Sequence, residues 1–306
     1  MPERDDAQRI QDLQRKIRRG EVDEGVRRIL VKLEAARREI LAEVADTDWD
    51  AFMLPRLTAN IDRQLDHWRD LALQDLTADQ AGLWNLGGKS VLGTMTEIGI
   101  SLALPELPTS LLSAMQNKAG QRIGGLVQSA KDRIDKLIST ALLTGQSREE
   151  TIQALGRALE LGDASGKPEG LFASIANRAR FIYRQEVGAV YATAQDLRRE
   201  QVTRYAPGLK KVWVHDGHPH LPRVDHIAMH GQERDQDEPF LNPVTREELM
   251  FPRDPAADIS ETAGCTCDVF LWRPEYGDKL AFIGPATRGN ASTSTMRRVR
   301  HAEAYS

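Results

Sequence analysis

Apolar residues recur three and four apart from Ile10 to Leu197, and then the period changes. After Pro207-Gly208 the pattern shortens to that of a strand, first at Lys211-Val212-Trp213-Val214 and again from Cys267 to Trp272. This switch limits the fold more than any other feature. A chain helical for its first two thirds and mixed afterwards reads as α+β: a mainly helical N-terminal part, one long helix, and a small mixed α/β C-terminal module. Lys279 to Ile283 is a candidate third strand.

Within the helical part, Ile10, Leu13 and Ile17 make one stripe, and Val26, Ile29, Leu30, Leu33, Ile40, Leu41 and Val44 make a second beyond Gly20. The faces opposite carry Arg and Glu, which suits helices packed on one side or a helix that docks on a partner. Asp46 to Asp50 interrupts the period. A helix from Ala59 to Leu73 would bury Ile61, Leu65, Trp68 and Ala72. The Gly-rich, apolar stretch that follows reads as a buried linker or a short helix. Its Gly87-Gly88-Lys89-Ser90 lacks the first glycine of a phosphate-cradling loop and follows no strand.

From Pro108 the helical period returns through Leu112, Met115, Ala119, Ile123, Leu126, Ala130, Ile134, Leu137 and Ala141. Gly120, Gly124 and Gly125 each cost a helix about 1 kcal/mol relative to alanine, so a break or kink is expected there. Gly145 fits a helix C-terminus. Ser147-Arg148-Glu149-Glu150 then reads as a capping box. Gly162 to Gly170 is the expected hinge, before a long helix from about Leu171 to Thr203. On that helix Glu186 shares a face with Ile175, Ala179, Ile182 and Val190, and a carboxylate on an apolar stripe needs a partner from outside its own turn. The expected division is thus a helical region over 1–165, a module over 166–285 and a mobile Ser/Thr/Arg-rich tail over 286–306.

The chain is 41% hydrophobic and 28% charged, in the range of a globular protein. No apolar run is long enough for a membrane span, and the N-terminus lacks the apolar core of a signal peptide. The net charge of −4 hides two opposed stretches. Arg178 to Lys211 holds eight Lys/Arg and three Asp/Glu, whereas Val224 to Glu261 holds three Arg and ten Asp/Glu. The arginines of the basic helix (Arg178, Arg180, Arg184, Arg198 and Arg199) are not confined to one stripe, so phosphate contact is a secondary reading.

Five of the seven histidines and both cysteines lie between Trp213 and Cys267. Cys265 and Cys267 are one residue apart, at the edge of what a disulfide tolerates in an extended strand. They suit metal ligation or plain burial. His226 and His230 share a face if their segment is helical, and a tetrahedral zinc site takes Cys and His in such combinations. The same loop, with His215, Asp216, His218, His220, Asp225 and His226, could instead serve a metal-dependent nuclease, although no spacing matches a strong catalytic motif.

Several short patterns in order resemble one family. Arg184-Gln185-Glu186 in a long helix resembles the RxE motif of phage head morphogenesis (minor head) proteins of the phage Mu protein F type. Trp213, Asp216, Arg223, His226 and Gly231 resemble that family's W…D…RxxH…G pattern. Phe240, Pro252, Asp254 and Pro255 are similar to its F…PxDP stretch, and Cys265-Thr266-Cys267 to its closing CxC. The match covers roughly 107–273. It departs at Thr266, where the family has Arg, at Gly264, where Asn is common, and in the insertion from His218 to Pro222.

The resemblance implies a structural, non-enzymatic role in the virion. It makes the chain a minor capsid protein at the portal vertex or inner shell, assembled in the host cytoplasm. Its partners would be the portal protein, the major capsid protein and packaged DNA. It also implies that His226, Cys265 and Cys267 form one zinc cluster, with His230, Asp216 or water as fourth ligand. Glu186, within the RxE motif, would then pair with Arg223.

Overall fold

The computed structural model describes residues 2–46, 54–97, 99–158, 170–215 and 223–272. Residues 162–169 of the expected hinge at 162–170, the third strand at 279–283 and the tail at 286–306 lie outside these residues; Gly170 opens α5. The architecture is α+β, with helices first and small antiparallel sheets after residue 209. Five helices come first: α1 (Pro2–Asp46), α2 (Leu54–Glu97), α3 (Thr109–Leu143), α4 (Arg148–Ala158) and α5 (Gly170–Tyr205). The strands β1 (Lys210–Val214), β2 (Glu233–Arg234), β3 (Phe240–Leu241), β4 (Glu248–Leu249) and β5 (Asp268–Trp272) follow, with short helices α6 (Val224–Ala228) and α7 (Ile259–Thr262) between them. Among the described residues no helix is long and apolar enough to cross a membrane.

Contacts divide the chain into two compact units. One holds Glu21–Asp79 and Ser113–Glu186, and the other holds Met1–Gly20, Gln80–Leu112 and the chain from Val187 on. The divisions therefore fall inside α1, α2, α3 and α5, a partition that helical period alone does not reveal.

In the first unit, the apolar stripes of α1, α2, α3 and α5 make the core. Ile29, Leu33 and Ile40 are buried with Ile61, Leu65 and Trp68, and with Ile123, Ala130, Ile134, Ala179 and Tyr183. The Trp68 indole N–H donates to the Ile29 carbonyl at 3.2 Å, which satisfies its polar atom inside that core. Lys32–Asp75 at 2.6 Å and Lys131–Asp66 at 2.8 Å flank it. Glu186, 4% exposed, takes Arg122 on α3 as its partner. Burial raises the Glu186 carboxyl above its ordinary value, and Arg122 pulls it back. The carboxylate on the apolar stripe thus has its cation, supplied by α3 rather than by Arg223.

Glycine separates the observed helices from the expected ones. α1 runs unbroken through Gly20, and α2 continues through the Gly-rich stretch to Glu97. Nor is α3 interrupted at Gly120, Gly124 or Gly125. At Gly87 the reason is proximity, because a Cβ there would stand 2.6 Å from the Tyr191 carbonyl oxygen on α5. The glycine that looked like a linker is the point where two helix backbones approach. The expected helix end holds, with Gly145 at φ +66°. The capping box forms as well: the Ser147 N–H donates to the Glu150 carboxylate at 2.8 Å, and the Glu150 N–H to the Ser147 hydroxyl at 3.2 Å.

In the second unit β1 is the central strand of the antiparallel order β2-β1-β5, and β3 pairs with β4 in a separate hairpin. Trp213, Met229, Phe240, Leu249, Phe251, Cys265, Cys267 and Val269 share one core with Ala192 of α5. The Trp213 and Phe240 rings meet edge to face at 5.3 Å. Lys211 is fully buried, and its ammonium donates to the carbonyls of Gln236 at 3.0 Å and Met250 at 2.9 Å. Burial pulls this lysine down to about 8.

Candidate metal centre

The sheet register builds the site. β1 and β5 run antiparallel with Val214 opposite Asp268, so one step further places His215 beside Cys267. Approaching β5 the chain is extended, and Cys265 and Cys267 alternate inward while Thr266 between them is half-buried. Gly264 precedes them at φ +65°, and the Cys265 N–H closes a turn on the Thr262 carbonyl at 3.1 Å. Glycine adopts this left-handed conformation without the strain a side chain would bring.

α6 brings the histidine. His226, on this five-residue helix, is 0% exposed and meets the edge of Trp213 at 5.4 Å and 88°. Its Nδ1 stands 3.4 Å from the Cys265 Sγ and 3.6 Å from the Cys267 Sγ. A tetrahedral zinc ion with ordinary Zn–N and Zn–S bonds sets its N and S ligands about 3.6 Å apart. His226, Cys265 and Cys267 therefore form a cluster that could hold a metal ion.

The outer face of the ring is organised too. His226 Nε2 looks onto the Glu261 carboxylate at 3.7 Å and Asp225 at 4.0 Å. The buried Asn242 amide donates to Glu261 at 2.8 Å and to Asp225 at 3.0 Å, and its oxygen accepts from the Val244 N–H at 3.0 Å. A carboxylate behind a ligating histidine fixes ring orientation and raises ligand basicity.

Burial opposes charge on His226, but Cys265, Glu261 and Asp225 outweigh it and push the ring up to about 9. Cys265 is held well below the ordinary thiol range, first by its hydrogen bond with Cys267 and then, against burial, by His226 and Arg253. The centre thus favours a thiolate, and either a proton on His226 or a cation between Nδ1 and the sulfurs can balance it.

The other residues singled out from the sequence brace this centre. Arg223 donates to the carbonyls of Ser260 and, at 2.7 Å, Ala263. That role replaces the expected pair with Glu186: Arg223 fastens the end of α7 just ahead of Cys265. Gly231, at φ +83°, lets the chain turn from α6 into β2, and its N–H donates to the Trp213 carbonyl at 2.9 Å. The Asp254 carboxylate accepts from the N–H groups of Met250 at 3.1 Å and Ala256 at 2.9 Å, holding the turn before α7. Arg253 donates to the Cys265 carbonyl, and its guanidinium lies where a side chain on residue 188 would stand, which explains Gly188 on α5.

His230 lies outside the cluster because α6 ends at Ala228; its Nδ1 instead accepts the backbone N–H of His215 at 3.0 Å. Asp216, His218 and His220 lie outside the described residues. No motif in the sequence singles out Glu261 or Asn242. The one hint was the Asp258-Ile259-Ser260-Glu261 run, which resembles a helix cap. Asp258 does cap α7, accepting from the Ser260 N–H at 2.7 Å, but Glu261 turns to His226 instead.

No family model matches the chain, and no solved structure does. Among curated proteins, the chain is similar to uncharacterized protein YqbB of Bacillus subtilis (strain 168), with 36% identity over 109 residues. That alignment covers 35% of this chain and 34% of YqbB, so the chain spans about a third of the length of the relative it matches.

Proposed function

We propose that this chain is a phage minor head protein, a structural component of the capsid interior or portal vertex. Its C-terminal module would be held together by zinc at His226, Cys265 and Cys267. The observation that supports the reading is that the motif residues Trp213, Phe240, Cys265 and Cys267 share one small core, with His226 against the two sulfurs and Arg223, Gly231 and Asp254 holding the turns around it. Zinc is the ion of choice because two thiols and an imidazole are soft to borderline ligands, and magnesium or calcium would prefer oxygen. The burial of His226 and Glu261 favours a structural centre over a catalytic one, since a nuclease must admit water and a phosphate to its metal. Two arginines of the basic helix, Arg198 and Arg199, are likewise buried, with Arg198 donating to the Pro105 carbonyl at 2.9 Å.

In this reading the N-terminal helices meet the portal or the shell. On α1, Leu13 and Ile17 are 56% and 42% exposed, one turn apart, an apolar pair open to a partner. Quantitative mass spectrometry of purified particles from the source strain tests the assignment. The chain should co-purify with proheads and mature particles at a copy number far below that of the major shell protein. Its absence from both would overturn the structural reading.

A further inference from the structure

We infer that His215 is the fourth ligand of a closed His2Cys2 centre, together with His226, Cys265 and Cys267. The inference rests on the zinc reading above and deepens it by completing the coordination shell. His215 follows the last residue of β1 and is buried, at 6% exposure. Its Nδ1 stands 3.5 Å from the Cys267 Sγ. The two contacts of His226 with the sulfurs are 3.4 and 3.6 Å, so three N···S separations agree with the about 3.6 Å edge of a zinc tetrahedron; His215 stands outside the set of ligand atoms that all lie within 4.8 Å of one another, so closing the centre draws its ring toward Cys265 and His226. Both histidines present Nδ1 toward sulfur.

The position of His215 is fixed on two sides. The β1–β5 register puts it beside Cys267, and its backbone N–H is bound to His230 Nδ1 at 3.0 Å. His230 is therefore a positioning residue for the ligand next to it. The charges balance as well. Binding displaces two protons in all, shared among the thiols and His226, and Zn2+ with two thiolates and two neutral imidazoles carries no net charge. Four protein ligands leave no open position for water, which makes the centre structural.

The test uses cobalt(II) as a spectroscopic substitute for zinc in the full chain. Wild-type protein should show the strong ligand-field bands of a tetrahedral site and sulfur-to-cobalt charge transfer. In H215A the charge transfer should persist, the ligand-field bands should weaken as water enters, and the zinc Kd should rise by at least about 100-fold. Loss of an outer-shell partner alone costs about 10- to 100-fold. H215C covers the case in which H215A does not fold: a third sulfur should restore tight binding and increase charge-transfer intensity. H215A with unchanged bands and Kd, or H215C with no added charge transfer, would overturn His215 as ligand while leaving the zinc reading in place. Wild-type protein that binds neither ion would overturn both.

Discussion

At the residue scale, buried polar side chains in the C-terminal module act by what they hold. Cys265 and Cys267 are the clearest case. Replacing both by serine should abolish zinc binding and remove the linked stabilisation, about 4 kcal/mol when free zinc exceeds Kd a thousandfold. A fall in Tm of at least about 5 °C by calorimetry is expected; an unchanged Tm would contradict it. Lys211 makes a different prediction. Its two carbonyl partners would be left unsatisfied by alanine, so Lys211→Ala should cost about 2–4 kcal/mol in urea unfolding. The pH dependence has a definite sign. Lys211 sits near 8 in the fold against 10.5 in the unfolded chain, so between these values the unfolded chain binds more protons. Its contribution to stability therefore rises with pH across that window. Wild type should gain on Lys211→Met from pH 8 to 10.5, and a difference that is flat or falling would refute the assignment.

At the element scale, glycine decides which helices continue and which approach. A glycine that ends a helix and one that lets another backbone come close weaken helix propensity alike, so Gly20, Gly87 and Gly124 looked the same in the sequence. The neighbour makes the difference, and the neighbour is tertiary. Two glycines of α2 separate the cases. Gly82 faces open space, and Gly87 faces the Tyr191 carbonyl. Gly82→Ala should stabilise the protein by up to about 1 kcal/mol. Gly87→Ala should destabilise it by about 1–3 kcal/mol, because the helices must separate. Equal shifts of the urea midpoint in the two variants would sink this account. Caps were easier to read, since the Ser147–Glu150 box and Gly145 rest on contacts within a few residues.

At the scale of the whole molecule, the α+β order was legible from the change of period after Pro207, whereas the partition into two units was not. Periodicity marks which residues face inward but not which core they enter. The candidate centre divides the same way. The soft chemistry of Cys265 and Cys267 could be read from the sequence, and His226 only through a resemblance of short patterns. Glu261, Asn242 and the place of His215 depend on the β1–β5 register and on the turns around α7. The need of Glu186 for a cation was visible on its own helix, but its partner Arg122 stands 64 residues away on another. If the centre fastens only the C-terminal module, chelation should speed hydrogen exchange in α6, α7, β1 and β5. The helical segments of the other unit, residues 21–46, 54–79 and 113–143, should stay protected. Uniform deprotection of those helices would contradict a local role for the ion.

The central claim, that a buried metal centre fastens this module, is tested most directly by the zinc content of the full chain purified without chelator. The account predicts about one zinc per chain, retained through dialysis and absent from the Cys265→Ser/Cys267→Ser variant. Wild-type protein that folds with its full stability and no bound metal would contradict it, and His226 and the two cysteines would then be a proton-balanced core cluster.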